Sequence, residues 1–427
     1  MPGDRLGILD VSPKVVLPPE SGSRVRIFNL LSNLSERHDV RLFSQARTMT
    51  GWSEAASFVE LIESFSETRH CSPLSRVVAN LAESRFVDSP ALRGAGLALS
   101  RPAKLDALLR WADVVLVEFP WQLAYCRRRA PKKPIVLASH NIEASKFDSY
   151  AQAVGGPRAR HRWGRRIEAV ERRAVAAADL ILAVSSEDRS EFIRRYHASP
   201  ERVVVVPNGA DTAQYVPANP AQRRGARRRL GLPDRPTVIF VGGNSAPNWA
   251  GLDWVRRLSE LTDRFTFLVV GEMSTGEEGT RLVAPGVVND LAPYFAAADI
   301  SICPIEFGGG TKIKLLESLA AGLPTVAFEE STRGLSLTHD EHVLVVEKDE
   351  LAMLAALSRL ADDSGLAGRL SQAGREHIVE RFDWKRIAAD LESALRALVG
   401  QTAVQASAPS LSTADETLSA PVDRPSS

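Results

Sequence analysis

Cysteine is scarce in this 427-residue sequence, and the three that occur (Cys71, Cys126 and Cys303) lie far apart. An odd number of cysteines this far apart favours reduced thiols. It is not typical of a disulfide framework or of the spacing of zinc ligands. No stretch approaches the run of about 18 apolar residues that a membrane-spanning helix needs, and the N-terminus does not have the pattern of a signal peptide. We therefore expect a cytoplasmic protein, with contact to the inner face of the membrane as an open alternative.

The sequence also has no excess of charge of one sign, since its formal net charge is +1. Nothing global attracts nucleic acid, so no nucleic-acid partner is expected. The chain contains no G-x-S-x-G and no GKS or GKT triplet, which argues against an elbow-type hydrolase and a P-loop nucleotide site.

Short β-branched runs alternate with longer helical patterns in two successive series. This alternation predicts an α/β fold of two Rossmann-like, doubly wound domains. The stretch 206–236 is rich in Pro, Gly, Asn and Arg and is typical of a connection between domains. We therefore divide the chain into domains 1–206 and 207–382, with a helix 383–399 that joins the first domain and a disordered tail 400–427.

One segment, CPIEFGGGTKIKLLESLAAGLPTVAF (303–328), combines several features of an anion site. A strand is followed by three glycines and then by a helix that we expect to be capped by Thr311 and to end at Gly322. The start of such a helix offers free N–H groups and a positive dipole end. Lys312 and Lys314 would lie in its first turn, where a bound diphosphate would offset their unfavourable interaction with the dipole. An ordinary surface helix with a Lys314–Glu317 pair is the alternative.

Together with this segment, five others occur in an order that resembles the retaining glycosyltransferases of family 4, which have the GT-B architecture. These are PPESGSRVRIFNLLSNLSERHDVRLFS (18–44), SHNIEASKF (139–147), ADLILAVSSEDRSEF (178–192) and VVVVPNGAD (203–211), and GVVNDLAPYFAAADISICPI (286–305) leads into the glycine segment. The resemblance covers about residues 5–399 and implies two domains that face each other across a cleft.

The resemblance also implies roles for individual residues. His140 matches a histidine beside the donor sugar, and Glu317 matches the second glutamate of the E-x7-E motif, which contacts the ribose. The first glutamate of that motif falls at Gly309, and the backbone N–H groups of Gly308, Gly309, Gly310 and Thr311 would serve instead. Gly22 matches the loop that faces the diphosphate and the acceptor, and Val288, Asn289 and Asp290 match the loop at the nucleobase.

The family's basic residue after the first strand of the second domain is not evident here. That position offers Gly242, Asn244 and Asn248 but no lysine. Phosphate binding is therefore assigned to Lys312 and Lys314, with His140, Lys312 and Glu317 as the catalytic candidates.

The expected activity is transfer of a sugar from a nucleoside-diphosphate sugar to an acceptor hydroxyl, with retention, in polysaccharide, glycolipid or glycoconjugate synthesis. The chain has no Asp-x-Asp, so no metal and no cofactor besides the donor substrate is expected. The acceptor could be a glycan, a lipid-linked saccharide or a small molecule. A sugar-nucleotide epimerase and a non-catalytic sugar-nucleotide-binding protein are the alternatives.

Three basic clusters suggest a surface for anionic lipid, because aromatic residues lie near two of them. The alternative is that they form ordinary solvated helix faces. The clusters are Arg127–Arg129 with Lys132 and Lys133, Arg158–Arg166, and Arg223–Arg229, and the aromatic residues are Trp121, Tyr125 and Trp163.

Overall fold

The structure, a computed structural model, describes residues 5–19, 21–45, 57–62, 65–71, 97–153, 157–273 and 281–407. Its strands form two separate sheets, one in each half of the chain. The predicted architecture of two doubly wound α/β domains is therefore confirmed.

The first sheet has eight strands in the order β3-β4-β2-β1-β5-β6-β7-β8. All neighbouring strands are parallel except β3 and β4, an antiparallel pair at one edge that departs from the expected parallel sheet. The strands are β1 (Gly7–Ser12), β2 (Asp39–Gln45), β3 (Ser57–Ile62), β4 (Phe65–His70), β5 (Val114–Glu118), β6 (Ile135–Ala138), β7 (Leu180–Ala183) and β8 (Val203–Val205).

The described helices of this half cover both faces of the sheet, which explains why β1, β5, β6 and β7 are buried along their whole length. They are α1 (Gly22–Ser35), α2 (Ala103–Trp111), α3 (Leu123–Arg129), α4 (Glu143–Ala153), α5 (Pro157–Ala177) and α6 (Ser186–Tyr196).

The second sheet has six parallel strands in the order β11-β10-β9-β12-β13-β14. They are β9 (Thr237–Val241), β10 (Thr266–Val270), β11 (Leu282–Gly286), β12 (Ile300–Cys303), β13 (Thr325–Phe328) and β14 (Leu344–Val346). The helices of this half are α7 (Pro220–Leu230), α8 (Ala246–Leu261), α9 (Ala292–Ala297), α10 (Ile313–Ala320), α11 (Glu329–Thr332), α12 (Glu350–Asp362) and α13 (Ser364–Arg381).

The connection between the domains is shorter than predicted. Helix α7 lies inside the stretch 206–236 and begins with a capping box, in which Asn219 accepts from the N–H of Gln222 while the Gln222 side chain accepts from the N–H of Asn219. Its Arg227 forms an ion pair with Asp299 of the second domain. The Pro- and Arg-rich composition therefore belongs in part to a helix of the second domain.

The last helix, α14 (Trp384–Ser407), returns to the first domain. Its apolar face shares a hydrophobic core with α1, where Ile387, Leu391 and Leu395 are buried together with Ile27 and Leu31. The prediction of a disordered tail from residue 400 is wrong for 400–407, because the helix continues to Ser407. Residues 408–427 lie outside the described part of the chain.

Candidate active site

A cavity of about 1070 Å³ lies between the two domains. The strands are parallel around it, so their carboxyl ends and the loops that follow them meet at its walls. Every residue proposed from the sequence lines this cavity: Gly22, His140, Gly242, Asn248, Val288, Asn289, Asp290, Gly308, Gly309, Gly310, Thr311, Lys312, Lys314 and Glu317.

The helix after the glycines faces the cavity, but it begins later than predicted. Lys312 is its N-cap residue, with an extended backbone, and the first helical residue is Ile313. Thr311 does not cap the helix, because its Oγ1 accepts a hydrogen bond of 2.8 Å from Asn208 Nδ2 in the interdomain connection. In the described structure, the backbone N–H groups of Lys312 and Ile313 donate to no protein acceptor. They are therefore available to an anion.

The two lysines beside this helix start are held by uncharged oxygen acceptors. Lys312 Nζ donates to the carbonyl oxygen of Gly310 at 3.0 Å, and Lys314 Nζ donates to the side-chain oxygen of Asn248. Burial lowers the pKa of both amines, that of Lys314 to about 8. A buried cation without a carboxylate partner in contact is costly, and a bound diphosphate would supply the missing negative charge.

Glu317 does not form the surface ion pair with Lys314 that was the alternative interpretation of this helix. Its side chain is buried, and burial raises its pKa to about 8, against the weaker opposing effect of the Lys314 charge. A protonated Glu317 can donate one hydrogen bond as well as accept, which suits a carboxyl group that faces sugar hydroxyls.

Gly242, at the end of β9, leaves room for two neighbouring side chains. A Cβ at this position would lie 2.8 Å from Met273 and 3.0 Å from Asn248. Asn248 also donates from Nδ2 to the carbonyl oxygen of Gly243 at 2.8 Å, so its amide is fixed with the oxygen toward Lys314. The structure thus connects Asn248 to Lys314, one of the two lysines assigned to phosphate binding from the sequence.

His140 lies on the opposite wall, at the end of β6. Its Nε2 is hydrogen-bonded to Oε2 of Glu118 at the end of β5, and its ring stacks on Phe119 with centroids 4.3 Å apart. Burial lowers the pKa of His140, and this effect is larger than the increase that the charge of Glu118 causes. The imidazole is therefore neutral at pH 7, with Nε2–H donated to the carboxylate and Nδ1 as the acceptor.

The buried guanidinium group of Arg26 supports this wall of the cavity. The Arg26 guanidinium of α1 donates to the carbonyl oxygens of Val206 and Pro207 and to Oδ1 of Asn208. Since Asn208 also bonds Thr311, one chain of hydrogen bonds runs from α1 through the interdomain connection to the start of α10. These side chains join the two walls in this arrangement of the domains.

The triglycine loop contacts the first domain directly. The Gly308 N–H donates to Ser149 Oγ at 3.1 Å, and Phe307 packs edge-on against Tyr150. The expectation that the Gly308 N–H is free for the donor is therefore wrong in this arrangement of the domains, because helix α4 supplies its acceptor.

The loop Val288–Asn289–Asp290 lies at the far end of the cavity. Asp290 Oδ1 accepts a hydrogen bond of 2.9 Å from the N–H of Ala292, the first residue of α9. One carboxylate oxygen of Asp290 is thus bonded within the protein, and the side chain is otherwise exposed at the cavity.

The sequence reasoning above did not identify several residues in and behind the site. Glu118 and Asp10 are buried carboxyl groups that interrupt otherwise apolar strands, and burial and the charge of Glu118 raise the pKa of Asp10 well above its usual range. An acidic residue near the carboxyl end of a buried parallel strand was the available signal for both. Asn208 and Asn141 carried no such signal, because Asn208 reaches Thr311 and Asn141 lies against Gly309 only where the two domains meet.

Comparison with known proteins agrees with this geometry. Residues 21–214 match the model described as Glycosyltransferase Family 4, and residues 235–363 match that described as Glycosyl transferases group 1. The chain belongs to glycosyltransferase family 4. The two matches meet at the interdomain connection and so place one family domain on each side of the cavity.

Two curated relatives illustrate the similarity of this family-4 chain. It is 32% identical over 251 residues to a D-inositol 3-phosphate glycosyltransferase of Salinispora arenicola, a match over 52% of this chain and 55% of the relative. An alpha-maltose-1-phosphate synthase of Mycolicibacterium smegmatis is 28% identical over 358 residues, 75% of this chain and 87% of the relative. The match spans only about half the length of the Salinispora relatives. None of the relatives named here is an epimerase.

Two solved structures share the fold. A sucrose-phosphate synthase of Thermosynechococcus elongatus superposes with a TM-score of 0.72 at 18% identity and covers 92% of this chain and 99% of its own. HepE of Anabaena, solved with UDP and glucose, superposes with a TM-score of 0.65 at 17% identity and covers 92% and 100%. The GT-B architecture is therefore confirmed for the whole two-domain body.

The basic clusters do not form the expected aromatic surface. Trp121 and Tyr125 are buried, and Arg127 and Arg129 pair with Asp179 and Asp106. The side chains at 158–163, with Trp163, lie outside the described residues. Within the described part of the chain, no helix has both the length and the apolar character to cross a bilayer.

Proposed function

We propose that the protein transfers a sugar from a nucleoside-diphosphate sugar to an acceptor hydroxyl. The observation that carries this proposal is the convergence of the start of α10, Lys312 and Lys314 on one end of a cavity between two domains. Free N–H groups and two cations in a partly buried site match the charge of a diphosphate. The sugar nucleotide is therefore placed mainly on the second domain and the acceptor mainly on the first.

Each candidate residue has a part in donor binding under this proposal. Lys312 and Lys314 neutralise the diphosphate, and Glu317 bonds ribose hydroxyls. The backbone around Val288–Asp290 contacts the nucleobase. The imidazole of His140 accepts a hydrogen bond from a sugar hydroxyl through Nδ1, because Nε2 is already bonded to Glu118.

The proposed reaction retains the configuration at the anomeric carbon. The bond from that carbon to the diphosphate oxygen breaks, and the acceptor oxygen forms its bond on the same face. The acceptor proton passes to the oxygen of the leaving diphosphate. Stabilisation of the departing negative charge by the lysines and the helix N–H groups supplies most of the catalysis, which needs no metal ion.

The acceptor is a glycan, a lipid-linked saccharide or a small molecule, and the product belongs to polysaccharide, glycolipid or glycoconjugate synthesis. The first-domain wall of the cavity includes the half-buried aromatic side chains of Phe147 and Tyr150, which such a molecule can contact. A closed site that excludes water directs the sugar to this acceptor rather than to hydrolysis.

A thermal-shift screen against UDP, GDP, ADP and their sugars tests the proposal first, since a ligand that binds only the folded state raises the unfolding temperature. We expect one nucleotide family to stabilise the protein and its sugar form to yield free nucleoside diphosphate when acceptors are added. Stabilisation without transfer to any acceptor would point to the non-catalytic alternative. A changed sugar nucleotide without acceptor would indicate an epimerase.

Contact with the inner face of a membrane remains a prediction for the Arg158–Arg166 segment. Vesicle flotation with and without anionic lipid tests it, and binding is expected only to the anionic vesicles. Equal flotation with both would contradict the prediction.

A further inference from the structure

The space above the triglycine loop is filled by a side chain of the first domain. A Cβ at Gly309 would lie 2.7 Å from Oδ1 of Asn141 and 3.0 Å from Cβ of Lys146. A Cβ at Gly310 would also lie 2.7 Å from Asn141 Oδ1. Distances below 3 Å are clashes, so neither position accepts a side chain while Asn141 is in place. Position 309 is also where the first glutamate of the E-x7-E motif would stand.

Asn141 does not occupy this space alone. Its Nδ2 donates to Oε1 of Glu143 at 3.2 Å, and both residues line the cavity. Glu143 is 8% exposed, and its carboxylate lies 3.9 Å from Lys146 Nζ. An amide and a carboxylate of the first domain thus stand together beside the position of the missing glutamate.

The backbone that carries this pair is firmly held. Glu171 of α5 accepts the N–H of Glu143 at 2.8 Å and that of Ala144 at 3.1 Å, and it also accepts from the hydroxyl of Tyr196. Helix α4 therefore begins at a fixed point, which sets where Asn141 and Glu143 meet the glycines.

On the basis of the proposed function, we infer that Asn141 and Glu143 bind the hydroxyls of the donor sugar in place of a glutamate at position 309. The amide and the carboxylate supply the donor and acceptor groups that hydroxyls require. In this chain the triglycine sequence is then an adaptation to Asn141, since any larger residue at 309 would displace it.

This arrangement makes recognition of the sugar depend on domain closure. The nucleoside diphosphate binds to the second domain, whereas the contacts to the sugar belong to the first and form only when α4 reaches the triglycine loop. A donor whose hydroxyls fit Asn141 and Glu143 thereby favours the closed state over the open one.

The difference in affinity between a nucleoside-diphosphate sugar and the bare diphosphate measures these contacts. It is obtained by calorimetry with the members of the UDP, GDP and ADP series that stabilise the protein. In Asn141→Ala and Glu143→Gln we expect the affinity for the sugar nucleotide to fall about tenfold, while that for the diphosphate stays unchanged. Ser149→Ala is the matched control, because it removes another contact of α4 with the loop but none with the sugar.

A pair of compensating substitutions at positions 141 and 309 distinguishes a sugar contact from a merely structural role. Gly309→Glu alone should lose sugar affinity because its side chain displaces Asn141. The double variant Asn141→Gly, Gly309→Glu should recover part of it, since the glutamate then escapes the clash with Asn141 and keeps only the close contact of 3.0 Å with Lys146 Cβ. Unfolding temperatures of the ligand-free variants show whether each has folded.

Two results overturn the inference, and they differ in what they mean for the proposed function. If diphosphate and sugar nucleotide bind the wild type but Asn141→Ala and Glu143→Gln leave their affinity ratio unchanged, the sugar contacts lie elsewhere and the proposed function stands. If none of the nucleotides or their sugars binds the wild type, both the proposed function and this inference fail.

Discussion

Glu118 and His140 form a hydrogen-bonded pair, Oε2 to Nε2, in which both side chains are buried behind the first-domain wall of the cavity. Because Nε2 of the neutral ring keeps its proton and donates it in a hydrogen bond to the carboxylate, Nδ1 carries no proton and can only accept. Glu118 thus positions the histidine without lining the cavity itself.

Replacement of Glu118 by Gln tests this positioning role. The amide can present its N–H₂ to the ring and reverse the imidazole tautomer, so turnover should fall by about ten- to a hundredfold with little change in diphosphate affinity. Steady-state kinetics and calorimetry give the two quantities, and nitrogen chemical shifts of His140 report the tautomer. Normal turnover with a reversed tautomer would show that the histidine is not required in this form.

Simultaneous replacement of Lys312 and Lys314 by Ala removes both cations at the diphosphate. Turnover should fall by about a hundredfold or more, because charge stabilisation of the leaving group is lost. Circular dichroism checks that the variant is folded, and Lys132→Ala, an exposed lysine of the first domain, is the matched control. Transfer at the wild-type rate in the double variant would refute the phosphate role.

Diphosphate binding should weaken as the pH rises through about 8. Burial lowers the pKa of Lys314 to about 8, so the ligand-free protein loses this charge far below the pH expected of an exposed lysine. Affinities measured by calorimetry across this range should fall, and the fall should be smaller in Lys314→Arg, whose guanidinium stays charged while Glu317, with a pKa of about 8, still gains its negative charge. A wild-type affinity that is constant to about pH 9.5 would contradict the assignment.

Glu317 gives stability an unusual pH dependence. Its pKa is raised from 4.5 to about 8 in the folded protein, so the folded state holds a proton that the unfolded state releases. Its stabilising contribution is full below pH 4.5 and is lost as the pH rises through about 8. Urea unfolding should show that the free energy of unfolding of the wild type falls relative to that of Glu317→Gln as the pH rises over this range. Parallel pH profiles of the two proteins would mean that Glu317 is not protonated when buried.

Patterns local in the chain were enough to predict the architecture and one wall of the site. Alternation of apolar strands with helices specifies doubly wound domains, because buried parallel strands need helices on both faces. The glycines, lysines and Glu317 lie within ten residues of a single strand–helix junction, so their proximity is dictated by local geometry. The exact helix start was missed, since the Thr311 hydroxyl is taken by Asn208 from another part of the chain.

Contacts between distant segments were decided by the tertiary structure alone. Glu118 meets His140 because β5 and β6 are adjacent and parallel, and Arg26 reaches the interdomain connection only once α1 is packed. The fit of Asn141 against Gly309 depends on how the two domains meet. Sequence spacing carries no information about such distances, which arise from strand order and domain packing rather than from local backbone preference.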